Sequence, residues 1–290
     1  MKDILIKIKL LYGINVASFE RVTKGFLSDN YFITDEKTKY FLKKYRFDNA
    51  DRIFEIHSVK HFFANGGIPV ILPISSLNGT TFFEHDGGYY ALFPFIDGKH
   101  FESGKLPRSA VESMASMLGK IHLLGKDAKL NVSESFKIEN REITLRKIDN
   151  ILSIINSKNN KDDFDKMALK NIELKRDLLL NSNQTIDQIG LKNDHLIHGD
   201  YLDQNLFFDD KDRVKYVFDL EKSNYSLRTF ELFRSMFNSI FLFEDTGVDL
   251  EKASIYLRSY SAVYPISVDE LRKGLQLYFL KIINGFWVES

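Results

Sequence analysis

The chain changes its hydrophobic period near residue 48 and again near residue 101. Apolar and polar residues alternate in Phe19-Glu-Arg-Val, in Asn30-Tyr-Phe-Ile-Thr and in Lys39-Tyr-Phe-Leu-Lys-Lys-Tyr-Arg-Phe47, which are separated by polar turns. A period of two over short runs predicts a meander of antiparallel strands. From Asp48 to Asn65 the spacing becomes three to four, through Ile53, Ile56, Val59, Lys60 and Phe63, and Gly66-Gly67 stops it. That pattern predicts a helix. A strand pair over Thr81-Phe-Phe-Glu and Tyr89-Tyr-Ala-Leu-Phe follows, and then Pro94-Phe-Ile-Asp-Gly98 punctuates the chain. An apolar strand that ends in such a connector reads as a hinge between two lobes.

Beyond Phe101 the pattern is mainly helical. Val111, Met114, Ala115, Leu118 and Ile121 form one stripe over Ser109 to Leu124, and further helices are predicted over Glu142 to Ile155 and Phe164 to Leu180. His122 on the first of these is read as a packed or capping histidine and not as a catalytic one. The expected class is α+β, with residues 1–95 as an antiparallel-sheet lobe and residues 96–290 as a helical lobe.

Composition narrows the chemistry. Lys plus Arg and Asp plus Glu both number 40 in 290 residues, so no global field recruits nucleic acid or an anionic membrane. There is no cysteine, which excludes disulfides, thiolate metal sites and a cysteine nucleophile. The first ten residues are apolar but broken by charges every two or three positions, unlike a signal-peptide core, and no window is apolar for long enough to span a bilayer. A cytoplasmic protein is expected. Oligomeric state is not legible.

Candidate chemistry concentrates in Leu196-Ile-His-Gly-Asp-Tyr-Leu-Asp-Gln-Asn-Leu-Phe-Phe208, where His198, Asp200 and Asn205 stand in an H-x-D-x-x-x-x-N spacing. This is the spacing of the catalytic loop of kinases. Leu206 to Phe218 reads as a hairpin with a charged turn at Asp209 to Arg213, which returns Asp219 close to Asn205. An Asn and an Asp oxygen suit Mg2+, a hard ion that keeps several waters. Asp200 is left to accept or position the proton of an acceptor hydroxyl, and His198 to brace the loop.

Three further stretches bear on a nucleotide. Lys24-Gly25-Phe-Leu-Ser28-Asp-Asn30, with Gly25 and Ser28, leaves backbone N–H groups that could meet phosphate. Lys43 and Lys44 point to opposite faces of their strand, with Phe41 and Tyr45 on the Lys43 face, and periodicity alone does not choose between them. The backbone from Phe93 to Ile96, including Phe95, is where an adenine could be hydrogen-bonded between aromatic walls.

His198-Gly199-Asp200 with Asp203 and Asn205, followed by Phe218-Asp219-Leu-Glu221, resembles the aminoglycoside phosphotransferase and choline kinase superfamily, which is similar to protein kinases in fold. The resemblance implies a two-lobed protein-kinase-like fold with Asp200 as catalytic base, and Asn205 and Asp219 as magnesium ligands. It also implies Lys43 on the phosphates, Glu55 as the carboxylate that orients Lys43, and Phe93 to Ile96 as the hinge. Gly199 stands where protein kinases usually carry arginine, and no D-F-G and A-P-E pair is present. Both features point away from a protein kinase.

Two departures stand out. The nucleotide loop is poor in glycine, and Phe230-Glu231-Leu232 occupies the place where these families commonly have an aspartate. The expected function is transfer of the γ-phosphate of ATP, with Mg2+, to a hydroxyl of a small metabolite such as an amino alcohol, homoserine, an aminoglycoside or a sugar. The segment after Asp219 resembles choline and ethanolamine kinases, whereas Tyr256 to Trp287 is more similar to homoserine kinases and spore-coat kinase-like proteins. Glu221, Glu231, Tyr260 and Trp287 are candidates to line an acceptor pocket, although Phe230, Phe233, Phe237 and Phe241 at helical spacing read as core. The alternative is a kinase-like scaffold or regulatory protein without turnover.

Overall fold

The computed structural model describes residues 2–22, 30–132, 137–182, 189–241 and 248–286. Gly25, Ser28 and Trp287 lie outside the described residues. The fold is α+β and protein-kinase-like, with an antiparallel sheet in the N-terminal part and helices in the C-terminal part.

The alternating segments form β1 (Ser18–Arg21), β2 (Asn30–Thr34) and β3 (Lys39–Lys44). With β4 (Phe83–His85) and β5 (Gly88–Pro94) they make one antiparallel five-stranded sheet of order β1-β2-β3-β5-β4. Register pairs Leu42 with Leu92, Phe41 with Phe93 and Lys43 with Ala91. The pleat therefore puts Leu42 and Leu92 on one face, and Phe41, Lys43 and Phe93 on the other.

A helix that sequence periodicity did not announce decides which face is inside. α1 (Lys2–Tyr12) buries Ile4 and Ile8 against Ile33, Leu42, Phe83 and Leu92, so the Leu42 face is covered. The opposite face is left to α2 (Ala50–Asn65) and to the cleft below it. α2 starts at Asn49, whose side chain caps the Asp51 amide, and buries Ile53 with Tyr45, Ala91 and Phe93. Buried His57 ties the two together, with its ring nitrogens 2.7 Å from the Tyr45 hydroxyl and 2.6 Å from the Thr81 hydroxyl.

The helical part comprises α3 (Arg108–Gly125), α4 (Arg141–Ser157), α5 (Asp163–Asn181), α6 (Arg228–Ser239), α7 (Leu250–Val263) and α8 (Val268–Ile283). α3, α6 and α7 share one core, with Val111, Leu118, Leu232, Met236 and Tyr256 buried together. α4, α5 and α8 close a second around Ile148, Ile172 and Leu277. Among the described residues no helix is long and apolar enough to cross a membrane.

Two short antiparallel pairs carry the loops between these parts. β6 (His195–Ile197) pairs with β9 (Asn224–Ser226), and β7 (Leu206–Phe208) pairs with β8 (Val214–Val217) as the expected hairpin. The connector after β5 grips that hairpin through reciprocal Lys99 and Phe208 backbone bonds of 2.9 and 3.2 Å. The segment after α2 grips it from the other side, where the Val217 amide donates to the Pro69 carbonyl at 2.9 Å.

Burial pushes His57 down to about 3, well below the ordinary histidine value of about 6.5. A histidine depressed in this way protonates first in the unfolded chain, so its contribution to stability is present above pH 6.5 and is lost as pH falls. Urea unfolding should therefore show lower stability at pH 5.5 than at pH 7.5, with a slope of up to about 1.4 kcal/mol per pH unit below 6.5 for each histidine held neutral. Equal stability at the two pH values would contradict a neutral His57.

Candidate active site

The loop after β6 is held by one buried carboxylate. Glu231 of α6 accepts the His198 amide at 3.0 Å and the Gly199 amide at 2.5 Å, and lies 3.0 Å from His122 Nε2. His122 Nδ1 faces the Tyr260 hydroxyl at 2.8 Å. These partners suit a neutral His122 that donates from Nε2 to the carboxylate and accepts the Tyr260 hydroxyl at Nδ1. Burial keeps His122 below its ordinary range, and although burial alone would raise Glu231, His122 and the loop amides hold it low. Glu231 and Tyr260, both candidates for an acceptor pocket, are therefore core residues. Glu231 fills the place left in doubt by the missing aspartate.

His198 is fully buried, with Nε2 2.9 Å from the Phe218 carbonyl and Nδ1 accepting the Asp200 amide at 3.2 Å. It thus ties the loop to the end of β8, as a brace would. Gly199 has φ of 85°, and a Cβ there would stand 2.0 Å from the Lys222 carbonyl oxygen. Only glycine fits, because both the positive φ and the close backbone exclude a side chain.

Asp200, Asn205 and Asp219 converge. The Asn205 amide nitrogen donates to the Asp200 carbonyl at 2.8 Å, and the Asn205 carbonyl accepts the Phe218 amide at 3.1 Å. Asp219 follows with φ of 61°, a left-handed conformation that a non-glycine residue adopts at a cost, and which aims its carboxylate at β3. Asp219 Oδ1 lies 3.1 Å from Lys43 Nζ, and the same ammonium is ion-paired with Glu221. Burial would raise Asp219, but Lys43 outweighs it and the carboxyl is held below its usual range. Lys44, on the other face, stands 5.8 Å from the Tyr90 ring centroid.

Glu55 takes a different place from the one expected. It is paired with Arg52 at 2.8 Å, one turn earlier on α2, and among the described residues the carboxylates on Lys43 are Asp219 and Glu221. The reason is helical phase: Ile53, Ile56 and Lys60 share the inward stripe, and Glu55 falls off it. Arg52 also donates to the Glu221 carbonyl at 2.7 Å, so α2 acts on the turn that carries Glu221.

Both oxygens of Asp200 face cations. Oδ2 accepts from Lys222 at 2.8 Å, and Oδ1 lies 2.5 Å from Arg234 of α6 in an ion pair whose angle is not that of a hydrogen bond. Burial would raise the carboxyl, yet the two cations hold it below its usual range. Neither cation was singled out in the sequence, where each is one basic residue among many.

A cavity of about 310 Å3 opens beside this cluster. Phe32, Phe41, Phe93, Phe95, Phe207 and Phe218 wall it, and Pro94, Ile96, Lys43, Lys60 and Asp219 also line it. The Asn205 amide nitrogen is committed to the loop, so its oxygen is the remaining donor, and with the anionic Asp219 it makes a hard oxygen pair that fits Mg2+.

Replacing Glu231 by Ala leaves the two loop amides and His122 without an acceptor, and at about 1–3 kcal/mol per orphaned group should cost about 3 kcal/mol or more. Glu231→Asp should cost less, because a carboxylate remains. Denaturant midpoints test the order, and an Ala variant as stable as wild type would contradict it.

A sequence model of the phosphotransferase enzyme family matches residues 18–266. Stress response kinase A of Shigella flexneri is 32% identical over 97 residues, which are 33% of this chain. The match spans 29% of the length of that curated relative. An amicoumacin kinase in complex with AMP-PNP, Ca2+ and Ami superposes with a TM-score of 0.66 at 16% identity, covering 97% of this chain and 84% of that one. A microcompartment-associated aminopropanol kinase superposes with a TM-score of 0.66 at 14% identity, covering 100% and 90%. At such identities the likeness is one of fold. The family match runs from β1 past α7 and takes in the H-x-D-x-x-x-x-N spacing and the turn after Asp219, so the chain belongs to the phosphotransferase enzyme family.

Proposed function

We propose that the chain transfers the γ-phosphate of ATP to a hydroxyl of a small metabolite. The observation that carries this reading is the meeting of Lys43 from the sheet with Asp219 from the turn after β8, at the mouth of an aromatic cavity and beside the Asp200–Asn205 loop. In this reading residues 1–95 hold the nucleotide, and residues 96–290 hold the catalytic loop and the acceptor.

The edge of the cavity suits adenine. The Phe95 amide donates to the Lys39 carbonyl and the Tyr45 amide to the Tyr89 carbonyl, so odd-numbered residues of β5 point their backbone groups at β3. Even-numbered residues point away, as the Leu92 carbonyl does when it accepts the Ile74 amide. The Pro94 carbonyl and, by the same alternation, the Ile96 amide are then offered to the cavity as an acceptor and a donor. Proline has no N–H, so the first position can only accept. Adenine presents an amino donor and a ring-nitrogen acceptor in matching order, whereas guanine reverses both.

Lys43 would contact the phosphates, and Asn205 with Asp219 would hold the divalent ion that neutralises charge on them. Asp200 would orient the acceptor hydroxyl and take its proton late, since a carboxyl held low by Arg234 and Lys222 is a weak base. Lys222 is the exposed partner, at 64% against 24% for Arg234, and is the one that an acceptor hydroxyl can displace. Phosphoryl transfer mainly needs such alignment and charge neutralisation.

Coupled ADP release with Mg-ATP and a panel of amino alcohols, homoserine, aminoglycosides and sugars tests the reading. An acceptor-dependent signal is expected, larger with ATP than with GTP. Asp200→Asn should lower kcat by about 10²- to 10⁴-fold, and Asp219→Ala should abolish turnover. ADP release that is equal in wild type and Asp200→Asn would leave a scaffold without turnover as the better account.

A further inference from the structure

α2 carries a second lysine on its inward stripe. Lys60 is 5% exposed, lines the cavity beside Lys43 and Asp219, and has its ammonium 5.4 Å from the Phe93 ring centroid. No hydrogen bond or ion pair joins it to another described residue. With its side chain buried and its ammonium bordering the cavity, Lys60 offers a charge that a ligand in the cavity can pair. The charged groups around it are Lys43 from β3 and Asp219 and Glu221 from the turn after β8, while the neighbouring His57 is neutral. Burial first, and then Lys43, lowers the Lys60 amine to about 8, so that an arriving anion would favour its charged form.

The arrangement exchanges two roles between elements. The turn after Asp219 places Glu221 on Lys43, and α2 places a cation where a carboxylate was expected. Glu221 alone would put a second negative charge beside Asp219, at the end of the cavity where an anion must bind. With Lys60 present, two ammoniums face two carboxylates.

We propose that Lys60 is a second phosphate-binding residue of the nucleotide site, recognising the oligophosphate and not the base. The inference rests on the nucleotide reading of the cavity, and deepens it by dividing phosphate recognition between β3 and α2. Its signature is dependence on phosphate number. A wall residue would affect every ligand that carries the base, whereas a phosphate ligand affects only those that carry the chain.

Calorimetric titration of adenosine, AMP, Mg-ADP and Mg-ATP into wild type, Lys60→Met and Lys60→Arg tests this. Lys60→Met is expected to weaken Mg-ADP and Mg-ATP by about tenfold to a hundredfold, to leave adenosine within about twofold, and to be rescued in part by Lys60→Arg. Lys60→Gln is read in the same way if the Met variant does not fold, with circular dichroism as the check. Equal weakening of all four ligands, or none, would overturn the proposal while leaving the nucleotide site standing. A wild-type protein that binds none of the four would overturn both.

Discussion

One buried carboxylate fixes the geometry on which the rest depends. Glu231 gathers the amides of His198 and Gly199 and the imidazole of His122, and so binds the loop from His198 to Asn205 to α6 and α3 at a single point. Everything downstream follows from where that loop is held. His198 reaches the Phe218 carbonyl, Asn205 closes on the Asp200 carbonyl, and the hairpin delivers Asp219 in a left-handed turn. The negative charge is tolerated in the core because three donors face it, and a half-satisfied version would be worse than none.

Across the cleft, Lys43 is aimed by exclusion. α1 seals the Leu42 face of the sheet, leaving the Phe41, Lys43 and Phe93 face for the cavity. This is why strand alternation alone could separate Lys43 from Lys44 without choosing between them. The choice lay in a helix of mixed apolar and basic residues, whose charges every two or three positions concealed that Ile4 and Ile8 are one turn apart on the same side.

The strands, α2, the hairpin and the H-x-D-x-x-x-x-N loop were legible because each is encoded locally, by period or by fixed spacing. Pairing across the fold was not. Glu55 was the natural partner of Lys43 by position in the chain, but the phase of α2 turned Lys60 inward and left Glu55 to Arg52, while Glu221 came from 178 residues beyond Lys43. Glu231 illustrates the same limit: beside Phe230 and Leu232 it could be read as a pocket residue, and only burial against the loop amides identifies it as the clasp. Gly25 and Ser28 remain expectations from sequence, as they lie outside the described residues.

Gly199 has a consequence for control. In kinases whose activity is switched by phosphorylation, a new phosphate is captured by arginine and a segment becomes ordered. Here the position is pressed against the Lys222 carbonyl with no room even for a methyl group, so an arginine handle has nowhere to stand. A loop built in this way is set when the chain folds, and carries no arginine at this point through which a signal could later assemble it.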